Sequence, residues 1–141
     1  MTRKVLSIAA TLLSLFFAVF CQAGDKYQEA REVFEEYVPA MERYLDAVDK
    51  VQKPHDLAGA INEFADSMEK IAPKMKSLTE KYPELQTEES APPEYADLER
   101  KSTALGERFA QSFMRIAPFM EDPEVEKANE RLMEVMGEMG E

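Results

Sequence analysis

Between Leu57 and Leu85 the large apolar residues fall at Leu57, Ile61, Phe64, Met68, Ile71, Met75, Leu78, Tyr82 and Leu85, alternating steps of four and three without a slip. Such spacing holds one side of a long α-helix apolar throughout and forms the seam of a packed helical bundle. A second run, from Lys26 to Val51, keeps the same beat at Tyr27, Ala30, Phe34, Tyr37, Met41, Tyr44, Val48 and Val51. Here Val33, Val38 and Leu45 widen the stripe. A two-position seam serves a dimeric coiled coil, whereas a wider face needs neighbours on more than one side, as in a bundle.

Breaks in the pattern divide the chain. Lys53-Pro54-His55-Asp56 separates the first two helices, with Asp56 placed to cap the second. So short a connection makes the two antiparallel neighbours. The second helix is expected over Asp56 to Lys81 and is stopped by Tyr82-Pro83, because the residue before proline is disfavoured in the helical region. Glu84 to Pro93 is acidic and proline-containing and reads as the long loop, with Leu85 folded back under the bundle. A third helix is expected from Pro93 to Met120, with beats at Leu98, Leu105, Phe109, Phe113, Ile116 and Met120 and a polar interruption at Ser102. Glu121-Asp122-Pro123-Glu124 restarts the chain with Asp as N-cap and Pro in the first turn. The fourth helix, shorter, runs to about Glu138 on Val125, Ala128, Leu132, Val135 and Met139, and Gly137 and Gly140 predict a frayed end. The pattern therefore predicts an all-α fold, an antiparallel up-and-down four-helix bundle over residues 24–141 with proline-kinked long helices.

Two of these helices carry related words. Phe-Ala-Asp-Ser-Met-Glu-Lys-Ile-Ala-Pro-Lys-Met from Phe64 and Phe-Ala-Gln-Ser-Phe-Met-Arg-Ile-Ala-Pro-Phe-Met from Phe109 agree at seven of twelve positions. A looser third copy is Tyr37-Val38-Pro39-Ala40-Met41. The spacing between copies is irregular, which excludes a solenoid array and leaves duplication of one helical unit beside convergent bundle patterning. Pro39 and Pro73 sit inside helical patterns whose phase they do not disturb, so they predict bends rather than breaks. Pro118 helps to end the third helix.

The first two dozen residues differ from the rest. Arg3 and Lys4 precede an apolar run from Val5 to Phe20, and Cys21-Gln22-Ala23 supplies small residues for cleavage after Ala23. This is the plan of a secretory signal peptide over residues 1–23, which predicts an exported protein, periplasmic or extracellular. Two other fates compete: an uncleaved N-terminal anchor, for which the apolar run is short, and a lipoprotein acylated on Cys21, for which Phe20 is a bulky neighbour. Cleavage removes the only cysteine, so apolar packing alone must stabilise the mature chain. It also leaves 15 basic side chains against 28 acidic ones, a formal charge of −13. Nucleic acid and anionic bilayer surfaces would be repelled by that balance.

Candidate chemistry is sparse. The single histidine, His55, lies in a predicted turn, and neither a nucleophile-base pair nor a Glu-x-x-His di-iron pattern can be assembled around it. Glycine-rich phosphate loops, calcium loops and haem-attaching cysteine pairs are absent from the sequence. The acidic residues Glu32, Glu35, Glu36, Glu42, Asp46 and Asp49 read as a solvated face of helix one. Methionine is the enriched side chain. Met133, Met136 and Met139 recur every third residue and gather three thioethers along one side of a helix, soft ligands suited to Cu(I). This resembles the methionine motifs of copper-handling proteins. Met41, Met68, Met75 and Met120 instead fall on seams, where methionine fills gaps in a core. Haem is the other cargo to weigh, because exported bundles of the cytochrome b562 type hold it between His and Met, and here His55 falls at the same end as Met114 and Met120.

The sequence thus predicts a non-enzymatic helical-bundle binding or interaction protein, an envelope accessory or chaperone-like factor with no resident cofactor. Its partner would be another protein or a second copy of itself, not nucleic acid, and it would not insert stably in a membrane after signal cleavage. The rival is a periplasmic Cu(I) or haem carrier. Because the fourth helix is too short to cover its neighbours, an exposed apolar strip is expected near the Glu84 to Pro93 loop.

Overall fold

The computed structural model describes residues 25–83 and 96–137, and within them the chain is helical with no strand. Four α-helices occur in order: α1 (Asp25–Val48), α2 (Pro54–Lys81), α3 (Ala96–Ile116) and α4 (Pro123–Gly137), with a single 3-10 turn at Ala117–Phe119 after α3. The signal-like residues 1–23, Gly24, Leu85 with the Glu84 to Pro93 loop, the Pro93 start of helix three, and Met139 all lie outside the described residues.

α2 is the central element. Its 28 residues make it about 42 Å long, and it packs against α1 and against α4. Every seam residue from Leu57 to Leu78 is buried, and so are Ala58, Ala65 and Ala72, spaced by seven along the flank of the seam. Alanine there widens the buried stripe without bulk, which lets neighbouring helices approach closely. α1 buries an equally wide face, with Val33, Val38, Ala40 and Leu45 beside the seam residues Phe34, Tyr37, Met41, Tyr44 and Val48. α4 contributes Val125, Ala128 and Val135, with Leu132 and Met136 packed at the margin of the same core.

The connections obey local physics more closely than the hydrophobic beat. α1 ends at Val48 rather than at Val51, and the chain leaves it through a turn in which Lys50 N–H donates to Ala47 O (3.0 Å) and Val51 N–H to Val48 O (3.2 Å). Val51 stays against the core from outside the helix. Asp56 is not the N-cap of α2. Lys53, extended and without a side-chain cap, holds that position, because Pro54 behind it has the helical φ and lacks the N–H that a first turn cannot satisfy. From the first turn Asp56 reaches back and accepts from the backbone N–H of Gln52 (3.2 Å). At the far end Tyr82 N–H closes on Leu78 O (2.9 Å) and the helix stops before Pro83. The expected restart at Asp122 is present: its carboxylate accepts from Glu124 N–H (2.9 Å) and its carbonyl from Glu126 N–H (2.9 Å). Both Pro39 and Pro73 lie inside continuous helices, on solvent-exposed positions.

The two related words adopt different backbones. Phe64 to Met75 is helical throughout, with Pro73 in mid-helix, whereas its counterpart leaves the α-helix at Ile116 and tightens into the 3-10 turn that carries Pro118. The residues downstream of each proline decide the difference. Lys76 to Lys81 continues the helical pattern, while Glu121-Asp122-Pro123 caps and starts a new helix. Before the prolines the two copies coincide in detail: Ser67 donates to Glu63 O (3.1 Å), Ser112 to Arg108 O (2.8 Å), and Ile71 and Ile116 are both buried.

Met68 is fully buried on the seam and Met114 fully outside it. Met68→Ala is therefore expected to cost about 2–5 kcal/mol of unfolding free energy, and Met114→Ala no more than about 0.5 kcal/mol, as measured by urea denaturation of each variant.

Candidate functional site

The methionines divide by position. Met41, Met68 and Met75 are buried in the core. Met120 is half-buried, and its sulfur accepts from the side-chain amide of Asn129 at 3.8 Å. On α4, Met133 and Met136 are both half-buried, and Met136 packs against the core. The third member of that series, Met139, lies outside the described residues. Met133 and Met136 thus share a flank of α4, with Met136 on the core side. Among the described residues no three His, Cys, Asp or Glu side chains gather in a way that could hold a metal ion.

His55 stands in the first turn of α2, with its side chain 74% exposed, and its Nδ1 is 2.7 Å from Glu124 Oε1 at the start of α4. The imidazole therefore ties the beginnings of two helices together. An exposed ring held by a carboxylate at the end of the bundle is poorly placed to serve as an axial ligand between helices.

The arginines form the best-defined polar geometry. Arg108 of α3 reaches Asp46 of α1 (2.6 Å) and Asp49 in the turn after α1 (2.5 Å), and Arg115, two turns on, reaches the backbone carbonyl (2.9 Å) and carboxylate (3.3 Å) of Asp49. Between α4 and α2, Arg131 reaches Asp66 (2.5 Å), Glu69 (2.6 Å) and, at 3.5 Å, Asn62. Lys74 of α2 contacts Glu36 of α1 through both oxygens (2.5 and 2.6 Å), and Lys81 contacts Glu29. The Arg108 hydrogen bond holds the Asp49 carboxyl below its ordinary range, helped by the charges of Arg108 and Arg115. In return the carboxylates raise Arg108, Arg131 and Lys81. Each joins two helices, or α3 to the turn after α1, through side chains that stay partly exposed. Glu36 and Asp46 on the acidic face of α1, with Asp49 just beyond it, thus pair with other helices while staying exposed to solvent. The signal was legible in spacing: Asp46 with Asp49 and Asp66 with Glu69 lie three apart beside a seam, and Arg108 and Arg115 lie seven apart, as charges flanking a bundle seam do.

Beneath the Arg108 clamp, the ring of Tyr44 lies between the two related phenylalanines, 5.0 Å from Phe64 and 6.5 Å from Phe109, centroid to centroid. Burial pushes the Tyr44 phenol up to about 12 and raises Tyr37 as well.

The loop beside which the short fourth helix predicts an exposed apolar strip, Glu84 to Pro93, lies outside the described residues. Ile71, Met75 and Leu78, on the half of α2 that leads toward the long loop, are all buried. Among the described residues the large apolar side chain left in solvent is Met114, 78% exposed near the other end of α3. Ala110, one turn before it on α3, and Ala117, three residues after it at the start of the 3-10 turn, are exposed as well. Together they leave an uncharged strip on a surface otherwise rich in charge. Among the described residues no helix is long and apolar enough to cross a membrane. Comparison of the chain with protein families, with curated proteins and with solved structures gives no match.

Two pH effects are expected. A carboxyl held low in the fold stabilises it above the unfolded value, near 3.8, and that contribution is lost as pH falls through the folded value. Asp49→Asn should therefore lower the melting temperature at pH 7 and narrow the gap to wild type below about pH 3, as monitored by circular dichroism. Raised tyrosines have the opposite sign: the fold favours the neutral phenol, and stability is lost as pH climbs past the unfolded value of 10.0. Absorbance titration at 295 nm should show Tyr37 and Tyr44 ionising only with the alkaline unfolding transition, and Tyr44→Phe should remove one late phenol.

Proposed function

We propose that the protein is an exported, non-enzymatic helical-bundle interaction protein, an accessory or chaperone-like factor that works outside the cytoplasm through a protein partner or a second copy of itself. The observation that carries this reading is the uncharged strip of α3 around Met114: a large apolar side chain set in solvent, between Ala110 and Ala117, on a chain of strong negative charge. Contiguous apolar surface on an otherwise charged protein tends to mark a partner site. Export rests on the Arg3-Lys4 and Val5 to Phe20 pattern and on cleavage after Ala23.

We further infer that the helices run alternately up and down, with bends at Pro39 and Pro73. The ion pairs support this order. Moving from Glu36 toward the start of α1 at Glu29 moves the partner from Lys74 toward the end of α2 at Lys81, as opposed helices require. His55 with Glu124 and Asp66 with Arg131 advance together along α2 and α4, as helices two apart in such a bundle do. Both prolines sit on exposed faces, where a bend curves a helix around its core.

The alternative, a Cu(I) or haem carrier, draws on Met133, Met136 and Met139 or on His55. It is separated from the first reading by adding Cu(I) or haem to the purified mature protein. Stoichiometric binding removed by Met136→Leu or by His55→Ala would replace the interaction reading with the carrier one.

The direct test places a photo-crosslinking residue at position 114 in the full-length chain expressed in its own host. The expected results are a mature N-terminus at Gly24 and a discrete crosslinked species, a second copy or another exported protein, that Ala110→Glu in the same chain abolishes. An unprocessed N-terminus, or a chain that is monomeric and uncrosslinked at every growth stage, would overturn the proposal.

A further inference from the structure

α3 is attached differently from the other three helices. α2 packs closely with both α1 and α4, whereas the close packing of α3 is with α1 and with its own 3-10 extension. Its buried side is also unusually polar. Of the four residues it buries fully, Leu105 and Ile116 are apolar and Ser102 and Ser112 are not, while Phe109 and Phe113 remain half-buried. Ser112 is satisfied by the Arg108 carbonyl. Ser102, 3% exposed, has no hydrogen-bond partner for its hydroxyl among the described residues. A buried hydroxyl without a partner favours any state that lets water reach it. Beside the burial of Leu105 and Ile116, α3 is held by the Tyr44–Phe109 ring contact and by the edge clamp of Arg108 and Arg115 on Asp46 and Asp49. Those charges are one-third to two-thirds exposed, so salt screens them.

We infer that α3 is a detachable strap, latched to the end of α1 and the turn after it by the Arg108 and Arg115 ion pairs, that opens as a unit from a three-helix body of α1, α2 and α4 without unfolding it. The segment from Ala117 to Asp122, with Pro118 in its 3-10 turn and Pro123 opening the next helix, is the hinge on one side. Opening uncovers the Tyr44 side of α1 and wets Ser102. The latch is electrostatic, so its strength is set by ionic strength. This inference stands apart from the proposed partner role: a strap that opens needs no partner to be observed, and a partner at Met114 needs no opening.

Hydrogen exchange read by mass spectrometry on the intact mature protein tests it. In wild type, amides of α3 are expected to exchange faster than those of α2, and raising NaCl from 0.05 to 1 M should speed α3 alone by about fivefold, the range open to a few exposed ion pairs. Arg108→Gln should speed α3 similarly at low salt and remove most of the salt effect, with Arg108→Lys restoring part of it. Ser102→Ala, which removes the unsatisfied hydroxyl and keeps the latch, should slow α3 about fivefold and leave α2 unchanged. Exchange of α3 at the same rate as α2 in wild type, or rates of all four helices moving together in both variants, would overturn the inference, since α3 would then leave the fold only by global unfolding.

Discussion

Burial of the whole α2 seam is the constraint on which the rest of the structure depends. Leu57, Ile61, Phe64, Met68, Ile71, Met75 and Leu78 line one side of a helix about 42 Å long, and Ala58, Ala65 and Ala72 extend the buried stripe around its flank. A stripe that wide cannot be covered by one neighbour, so α1 and α4 both pack against the same helix. The described residues contain no cysteine, so packing, hydrogen bonds and edge ion pairs hold them together. Each buried methylene contributes about 0.8 kcal/mol, whereas an exposed ion pair contributes at most about 1 kcal/mol. Packing therefore sets the fold, and the clamps set which faces meet.

That division explains the arginines. Arg131 joins α4 to the flank of α2 at Asp66 and Glu69, and Arg108 joins α3 to α1 at Asp46 and to the turn after α1 at Asp49. In the first case the clamp borders a tightly packed interface carrying Val125, Ala128 and Val135. In the second the interface beneath has two buried serines. The same chemistry thus has unequal weight at the two places. At α4 it accompanies burial that would hold the helix without it, while at α3 it supplies a larger share of a weaker attachment.

Much of the architecture is legible in the spacing of apolar residues. The four helices, the stop at Lys81, the Asp122 cap and the burial of Met41, Met68 and Met75 all come from period and end signals that depend on nearest neighbours in sequence. Periodicity misleads where local chemistry competes with it. Val51 keeps the beat but lies in a turn, and Asp56 looks like a cap but yields the position to the residue before Pro54. Helix lengths alone point to a strip near the long loop, yet Met75 and Leu78, on the half of α2 that leads there, are buried. The candidate site is less legible still. An exposed Met114 and an unsatisfied Ser102 are facts about which face of α3 turns inward, and the period fixes that face only approximately when two of its inner positions are serine.

The shared words of α2 and α3 sharpen this point, because identical residues meet unequal surroundings. Phe64 is buried and Phe109 only half-buried, though both face the ring of Tyr44; Met75 is buried and Met120 half-buried. Ile-Ala-Pro continues as helix in one copy and tightens into a 3-10 turn in the other. Proline inside a helix loses one backbone hydrogen bond wherever it occurs, so the sequence of the motif alone does not choose between bending and stopping. The choice is made by the free energy of the next few residues. After Pro73, continuing the helix buries Met75 and Leu78 in the core; after Pro118, ending it lets Asp122 cap α4, whose Val125 and Ala128 then pack into the core. One motif therefore serves as the interior of the central helix and as the end of α3, and the difference lies in the residues beyond it rather than in the motif itself.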